Sequence, residues 1–113
     1  VKCVKADIIE GLPFEDESFD IVCSAFVVHG MKAKYRKILY REASRIARKK
    51  VIFHDYGRKL PSIPVLFIEI LETFVGGDFF NFKKNGFSEM LDHFSSVAEK
   101  QITPSVSWYI CEK

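Results

Sequence analysis

Apolar and polar positions follow different rhythms along this chain, and the rhythms predict its elements. Phe19 to Phe26 (FDIVCSAF) is an almost unbroken apolar run. Such short runs read as strands buried on both faces, the mark of a parallel sheet. Lys32 to Lys49 has helical period instead. Tyr35, Ile38, Leu39, Ala43, Ile46 and Ala47 share one face, while Arg36, Lys37, Arg41, Arg45 and Arg48 lie mostly elsewhere. Val51 to Tyr56 (VIFHDY) reads as a strand closed by Gly57. Strand, helix and strand with a short return predict a βαβ unit with a parallel pair and a right-handed crossover.

The flanking stretches complete the outline. Val1 to Asp7 reads as a short strand, edge-like because Lys2 and Lys5 interrupt it. Glu10 to Ser18 is a polar loop in which Leu12, Pro13 and Phe14 fold back as an apolar plug. Pro61 to Val75 predicts a helix, with Ser62 as cap, Pro64 in the first turn and Gly76-Gly77 as terminator. Asp78 to Gly86 reads as an aromatic-rich loop. Ser88 then caps a short helix running to His93 or Phe94, with Glu89 placed well for the helix dipole. Ser96 to Thr103 and Val106 to Glu112 predict an antiparallel hairpin. The expected fold is α/β, with a mainly parallel sheet ending in an antiparallel hairpin, as one domain over residues 1–113.

Composition narrows the class. A hydrophobic fraction of 48% and a charged fraction of 28% exclude global disorder. The net charge of +2 points to no partner by itself. Eleven Phe imply a Phe-rich core or an apolar pocket. Cys3, Cys23 and Cys111 are scattered, each in an apparent strand, as expected for buried thiols in a reducing compartment and not for a disulfide or metal framework. The longest apolar run, Ile63 to Val75, is broken by Pro64, Glu69 and Glu72 and is too short to span a bilayer. A soluble cytoplasmic protein is expected. Val1 in place of Met, inside an apparent strand, predicts a processed or truncated chain.

Candidate chemistry is sparse. His29, His54 and His93 are too dispersed to predict a metal site. His54 and Asp55 are neighbours on one strand, so they point to opposite faces and form no dyad with each other. The basic helix and its end carry Lys32, Lys34, Arg36, Lys37, Arg41, Arg45, Arg48, Lys49 and Lys50 against the single acid Glu42. Without aromatic interleaving this reads as a solvated crossover helix in preference to an RNA-binding face. The Phe67, Phe74, Phe79, Phe80, Phe82 and Phe87 group reads as core packing, with an apolar acceptor pocket as the alternative.

Several motifs together carry a resemblance. Ala6-Asp7, then Leu12-Pro13-Phe14 with Ser18-Phe19-Asp20, then Glu42-Ala43 and Arg45-Ile46 in the helix, follow one another in order. The chain resembles the C-terminal half of a class I S-adenosylmethionine-dependent methyltransferase of the small-molecule, type 11-like branch. The resemblance implies a partial Rossmann-like fold in which Asp7 bonds the adenine amino group and Ile8 packs on its ring. It places Ser24, Ala25 and Phe26 near the donor methyl, and makes His29 the candidate acceptor-side base. Two features depart from the family. No Lys-Pro-Gly-Gly turn follows the helix, and no glycine-rich turn joins a first strand to a helix.

The implied protein is therefore a methyltransferase, or a fragment of one, lacking the glycine-rich cofactor half. Its cofactor is S-adenosylmethionine, its acceptor a small molecule in preference to RNA, with no metal and no membrane. The missing turn leaves open whether this chain alone holds the cofactor. An apolar edge along Phe19 to Phe26 is expected to pair with the missing half or with a second copy. The alternative is a non-catalytic methyltransferase-like module acting in protein association.

Overall fold

The computed structural model describes residues 1–59 and 61–113. A four-stranded sheet in the order β1-β2-β4-β3 organises the chain, with β1 spanning Phe19–Ala25, β2 Ala47–Tyr56, β3 Ser96–Gln101 and β4 Val106–Glu112. Helix α1 (Ala33–Ile46) makes the crossover from β1 to β2, preceded by a 3-10 turn at Val28–Gly30. Helices α2 (Ile63–Thr73) and α3 (Phe79–His93) carry the chain from β2 to β3.

The α/β architecture and the terminal hairpin agree with the pattern of the sequence, but the sheet is mixed. Only β1 and β2 are parallel, with Ser24 opposite Phe53 and Ala25 opposite His54. Strand β4 lies antiparallel to both β2 and β3. The expectation of a mainly parallel sheet is met only in part, because a parallel pair needs a crossover, and α1 supplies the one between neighbouring strands. Val1–Asp7 forms no strand and lies exposed. A strand has to hand its N–H and C=O groups to a neighbour, and none is offered here. Cys3 is consequently exposed, Cys23 is exposed on β1, and only Cys111 has the burial expected of all three.

The core lies on one face of the sheet. Val51 and Phe53 of β2 and Tyr109 and Cys111 of β4 meet Leu39, Tyr40 and Ala43 of α1 and Phe82 and Met90 of α3. Strand alternation puts Ile52, His54 and Trp108 on the opposite face, where Trp108 is exposed. Along α1 the buried stripe is turned from the expected one. Arg36 and Tyr40 are fully buried, whereas Tyr35 and Ile38 are half-buried. Burial of Arg36 is tolerated because its Nε and Nη2 donate to the two carboxylate oxygens of Glu89, each at 2.7 Å, and its Nη1 donates to the Met31 carbonyl at 2.6 Å. Arg45 is answered by Asp16 as well as Glu42. The helix expected to reach Lys49 stops at Ile46, and Arg48, on β2, pairs with Asp20.

The loop expected at Asp78 to Gly86 is the first half of α3. Gly86, at the end of the expected loop, is there for packing: a Cβ would collide with the Phe82 ring. Ser88 is therefore no cap; it sits inside the helix and donates to the Asn85 carbonyl at 2.9 Å. Helix α2 ends where the glycines predicted, with Gly76 at φ +103°, a conformation glycine adopts without strain. Ser62 stands at its N-cap position but its side chain makes no capping bond. Ile63, Phe67, Phe74 and Val75 are exposed, against the expected core packing of Phe67 and Phe74, because the buried position of α2 is Glu69. Among the described residues no helix is long and apolar enough to cross a membrane.

Glu42 anchors the loop before β1. Its carboxylate accepts from the Leu12 N–H and from Arg45, while Arg45 also donates to the carbonyls of Phe14 and Leu12 at 2.7 and 3.1 Å. The Arg45 hydrogen bonds, then the Leu12 N–H, hold the Glu42 carboxyl down at about 2. A carboxylate with a depressed pKa stabilises the fold above its unfolded value, and the contribution fades as pH falls toward the folded one. Glu42→Gln is thus expected to weaken the fold at pH 7. The difference from the parent chain should shrink from about pH 4.5 and vanish near pH 2. Urea titrations of both chains across that range check it, and a pH-independent difference would rule the linkage out.

Candidate active site

The parallel pair ends in two adjoining features. The first is an apolar groove of about 380 Å³ along β1, lined in part by Ile8, Leu12, Val22, Ser24, Ala25 and Leu39. Ile8, Ser24 and Ala25 come together here although Ile8 lies far from them in sequence. The Glu42 anchor on Leu12 explains how the loop reaches the groove. Asp7 is not among the lining residues. It is exposed, and its Oδ1 accepts from the Ile9 N–H at 2.9 Å, closing a turn on its own backbone. Phe26 leaves the groove as well. Its φ of 54° turns the chain at the end of β1, and its ring packs edge-on to His54 at 4.9 Å and Tyr56 at 5.8 Å.

The second feature is a polar cluster around His29. The sequence placed His29 alone; the fold gives it a partner from β2. Asp55 is fully buried, and its Oδ1 lies 2.7 Å from His29 Nδ1. The same carboxylate accepts from the backbone N–H groups of Val28 (2.9 Å), His29 (3.3 Å) and Tyr56 (2.8 Å). An ionised carboxylate only accepts, so the proton of this pair sits on Nδ1 and Nε2 faces the other way. There it meets α2, with Glu69 Oε1 at 3.5 Å and Glu72 Oε2 at 4.0 Å. Aromatic rings wall the cluster: Tyr56 lies 4.7 Å and Phe79 6.4 Å from the imidazole, centre to centre.

The electrostatics follow from this packing. Burial disfavours the charged imidazole, but the Asp55 hydrogen bond and the charges of Asp55, Glu69 and Glu72 outweigh it, and the His29 pKa rises. Burial pushes the Glu69 carboxyl up, with His29 and the Tyr56 hydroxyl opposing. Burial and Glu69 push the Tyr56 phenol up to about 12. His54 takes no part. Its Nδ1 accepts from Trp108 Nε1 at 2.8 Å on the other face, consistent with the absence of a His54–Asp55 dyad. His93 is likewise spent locally, with Nδ1 2.9 Å from the Glu89 carbonyl.

Sequence reasoning missed Asp55, Tyr56, Glu69 and Glu72 as site residues. The one available signal was Asp55 itself: a charge alternating with Val51 and Phe53 on the buried face of a strand needs a partner. Nothing in the sequence said which.

A sheet that opens its parallel strand ends onto a histidine–carboxylate pair beside an apolar groove is the layout of an α/β ligand-binding protein. Residues 1–54 match the model of the methyltransferase domain family, and over this stretch the chain is similar to that family. The match takes in the loop, β1, the 3-10 turn, α1 and most of β2, including the groove and His29 but not Asp55 or α2. No curated protein matches the chain in sequence.

Proposed function

We propose that this chain forms the acceptor side of an S-adenosylmethionine-dependent methyltransferase acting on a small molecule. The observation that carries the reading is the position of the His29–Asp55 pair, at the carboxyl ends of two parallel strands and next to the groove of the family-matched segment. S-adenosylmethionine, when bound, supplies an electrophilic methyl on a positively charged sulfur. The apolar walls of Ile8 and Ala25 suit an adenine ring, and the free Asp7 carboxylate oxygen is an acceptor for its amino group. In this reading Ser24 and Ala25, which line the groove, border the donor methyl, and Phe26 turns the chain from them toward the Val28–Gly30 turn.

His29, oriented through Nδ1 by Asp55, presents Nε2 as the group that takes a proton from the acceptor. The Tyr56 and Phe79 rings pack against it. Methyl transfer needs alignment more than chemical assistance, so these residues suffice for the acceptor half. The outer edge of β1, the last strand of the sheet, pairs with the glycine-rich half of such an enzyme or with a second copy.

Calorimetric titration of the chain with S-adenosylhomocysteine tests the reading. The expected result is a dissociation constant near micromolar, about −8 kcal/mol, weakened about tenfold by Asp7→Ala through loss of a hydrogen bond to a charged group. No binding would overturn a cofactor site in this chain. Its role would then be that of a methyltransferase-like association module.

A further inference from the structure

We propose that His29, Glu69 and Glu72 form a binding site for one divalent transition cation of the zinc type. Nε2 of His29, Oε1 of Glu69 and Oε2 of Glu72 all lie within 4.8 Å of one another. The two separations from Nε2, 3.5 and 4.0 Å, approach the about 3.4 Å that tetrahedral ligands at metal-bond lengths require. Small rotations of two glutamates close the difference. Their spacing of three residues puts both on one face of α2, above the imidazole.

Three further features point to a cation and not to a chance cluster. The imidazole is held as metal-ligating histidines are held, with its other nitrogen on a buried carboxylate that is itself fixed by backbone N–H groups. That clamp leaves the Nε2 lone pair directed at the glutamates. Glu69 is the second feature. Its side chain is 2% exposed, and among the described residues no lysine or arginine pairs with it; its neighbours are His29, the Tyr56 hydroxyl and two more acids, Glu72 and Asp55. A buried carboxylate in that company is stabilised in its charged form by a cation placed beside it. The third is access. Glu72 is half-exposed, which leaves an open side where a water or an acceptor oxygen completes four-coordination. One imidazole with two carboxylates suits zinc-type ions better than calcium or magnesium, which prefer oxygen alone.

The site goes beyond the methyl-transfer reading, since the cation takes the lone pair that reading assigns to the acceptor's proton. Ion and proton compete for Nε2.

Equilibrium dialysis against Zn²⁺, followed by elemental analysis, tests the site without cofactor or acceptor. The Cys3→Ser/Cys23→Ser chain is used, because both exposed thiols are soft ligands of their own. One equivalent of Zn²⁺ should be retained at micromolar free metal. His29→Gln and Glu69→Gln should each weaken retention by more than about a hundredfold, and Asp55→Asn, which touches no metal, by about 10–100-fold. Glu15→Gln, on the exposed loop, should change nothing. Glu72→Gln keeps the test decisive should a buried substitution fail to fold, since this side chain is half-exposed. With Co²⁺ in place of Zn²⁺, the intense visible bands of a four-coordinate ion should appear and be lost in Glu72→Gln. No stoichiometric uptake by the folded chain, or uptake unchanged in Glu72→Gln and Glu69→Gln, would overturn the proposal. Neither result depends on S-adenosylhomocysteine binding, so the two readings fail separately.

Discussion

Asp55→Ala is expected to destabilise the chain by about 3–5 kcal/mol, out of a total of about 5–15 kcal/mol for a domain of this kind. The side chain is fully buried and accepts from the Val28, His29 and Tyr56 N–H groups and the His29 ring. Its removal strands these donors in the interior, each at about 1–3 kcal/mol. The damage should be local first. The Val28–Gly30 turn has lost the carboxylate that ties it to β2, and hydrogen exchange at the Val28 and His29 amides should approach that of exposed backbone. Asp55→Asn keeps the shape and one acceptor oxygen and should cost less. Urea unfolding with amide exchange checks both variants. A loss under about 1 kcal/mol for the alanine variant would mean that water replaces the carboxylate, and that His29 is not held as described.

Arg36→Ala is expected to cost a similar amount, about 3–5 kcal/mol, by a different route. Arg36 is fully buried between α1 and α3 and contacts Glu89, Asn81, Asp78 and the Met31 carbonyl. Truncation opens a cavity and leaves the Glu89 carboxylate without its partner. Arg36→Lys should rescue little, because an ammonium cannot reproduce the two parallel bonds to Glu89. The double variant Arg36→Met/Glu89→Leu should recover part of the loss, since it removes the stranded charge along with the cation. Arg48→Ala is the control: its pair with Asp20 is solvent-exposed and should be worth less than about 1 kcal/mol. Equal losses for Arg36→Ala and Arg48→Ala in chemical denaturation would refute the buried junction.

Both residues show where a linear reading stops. Helical period identified α1, yet Arg36 was assigned to the solvent side, because a periodicity rule counts a cation as polar wherever it falls. What buries it is a carboxylate on α3, a helix the sequence had split into a loop and a shorter helix. Gly86, taken as the end of that loop, is the room that the Phe82 ring requires. Val1 to Asp7 failed in the opposite direction. Its Val and Cys positions favour a strand, but a strand is a relation between segments.

The strands β1 and β2, the crossover between them and the terminal hairpin were all legible, because each rests on local period and turn chemistry; the burial of β1 on both faces was not, since it is an edge strand with Phe19, Ile21, Cys23 and Ala25 exposed. So was the family resemblance of the first 54 residues, which is carried by residue order. His54 and Asp55 were correctly sent to opposite faces of their strand, since alternation is a property of the backbone. The partner of Asp55 was not legible. His29 reaches it only once α1 has brought β2 parallel to β1, and Glu69 and Glu72 arrive on a helix from another part of the chain. Period decides what a segment is; which side chains share a site depends on how segments far apart in sequence pack, and that the tertiary structure decided.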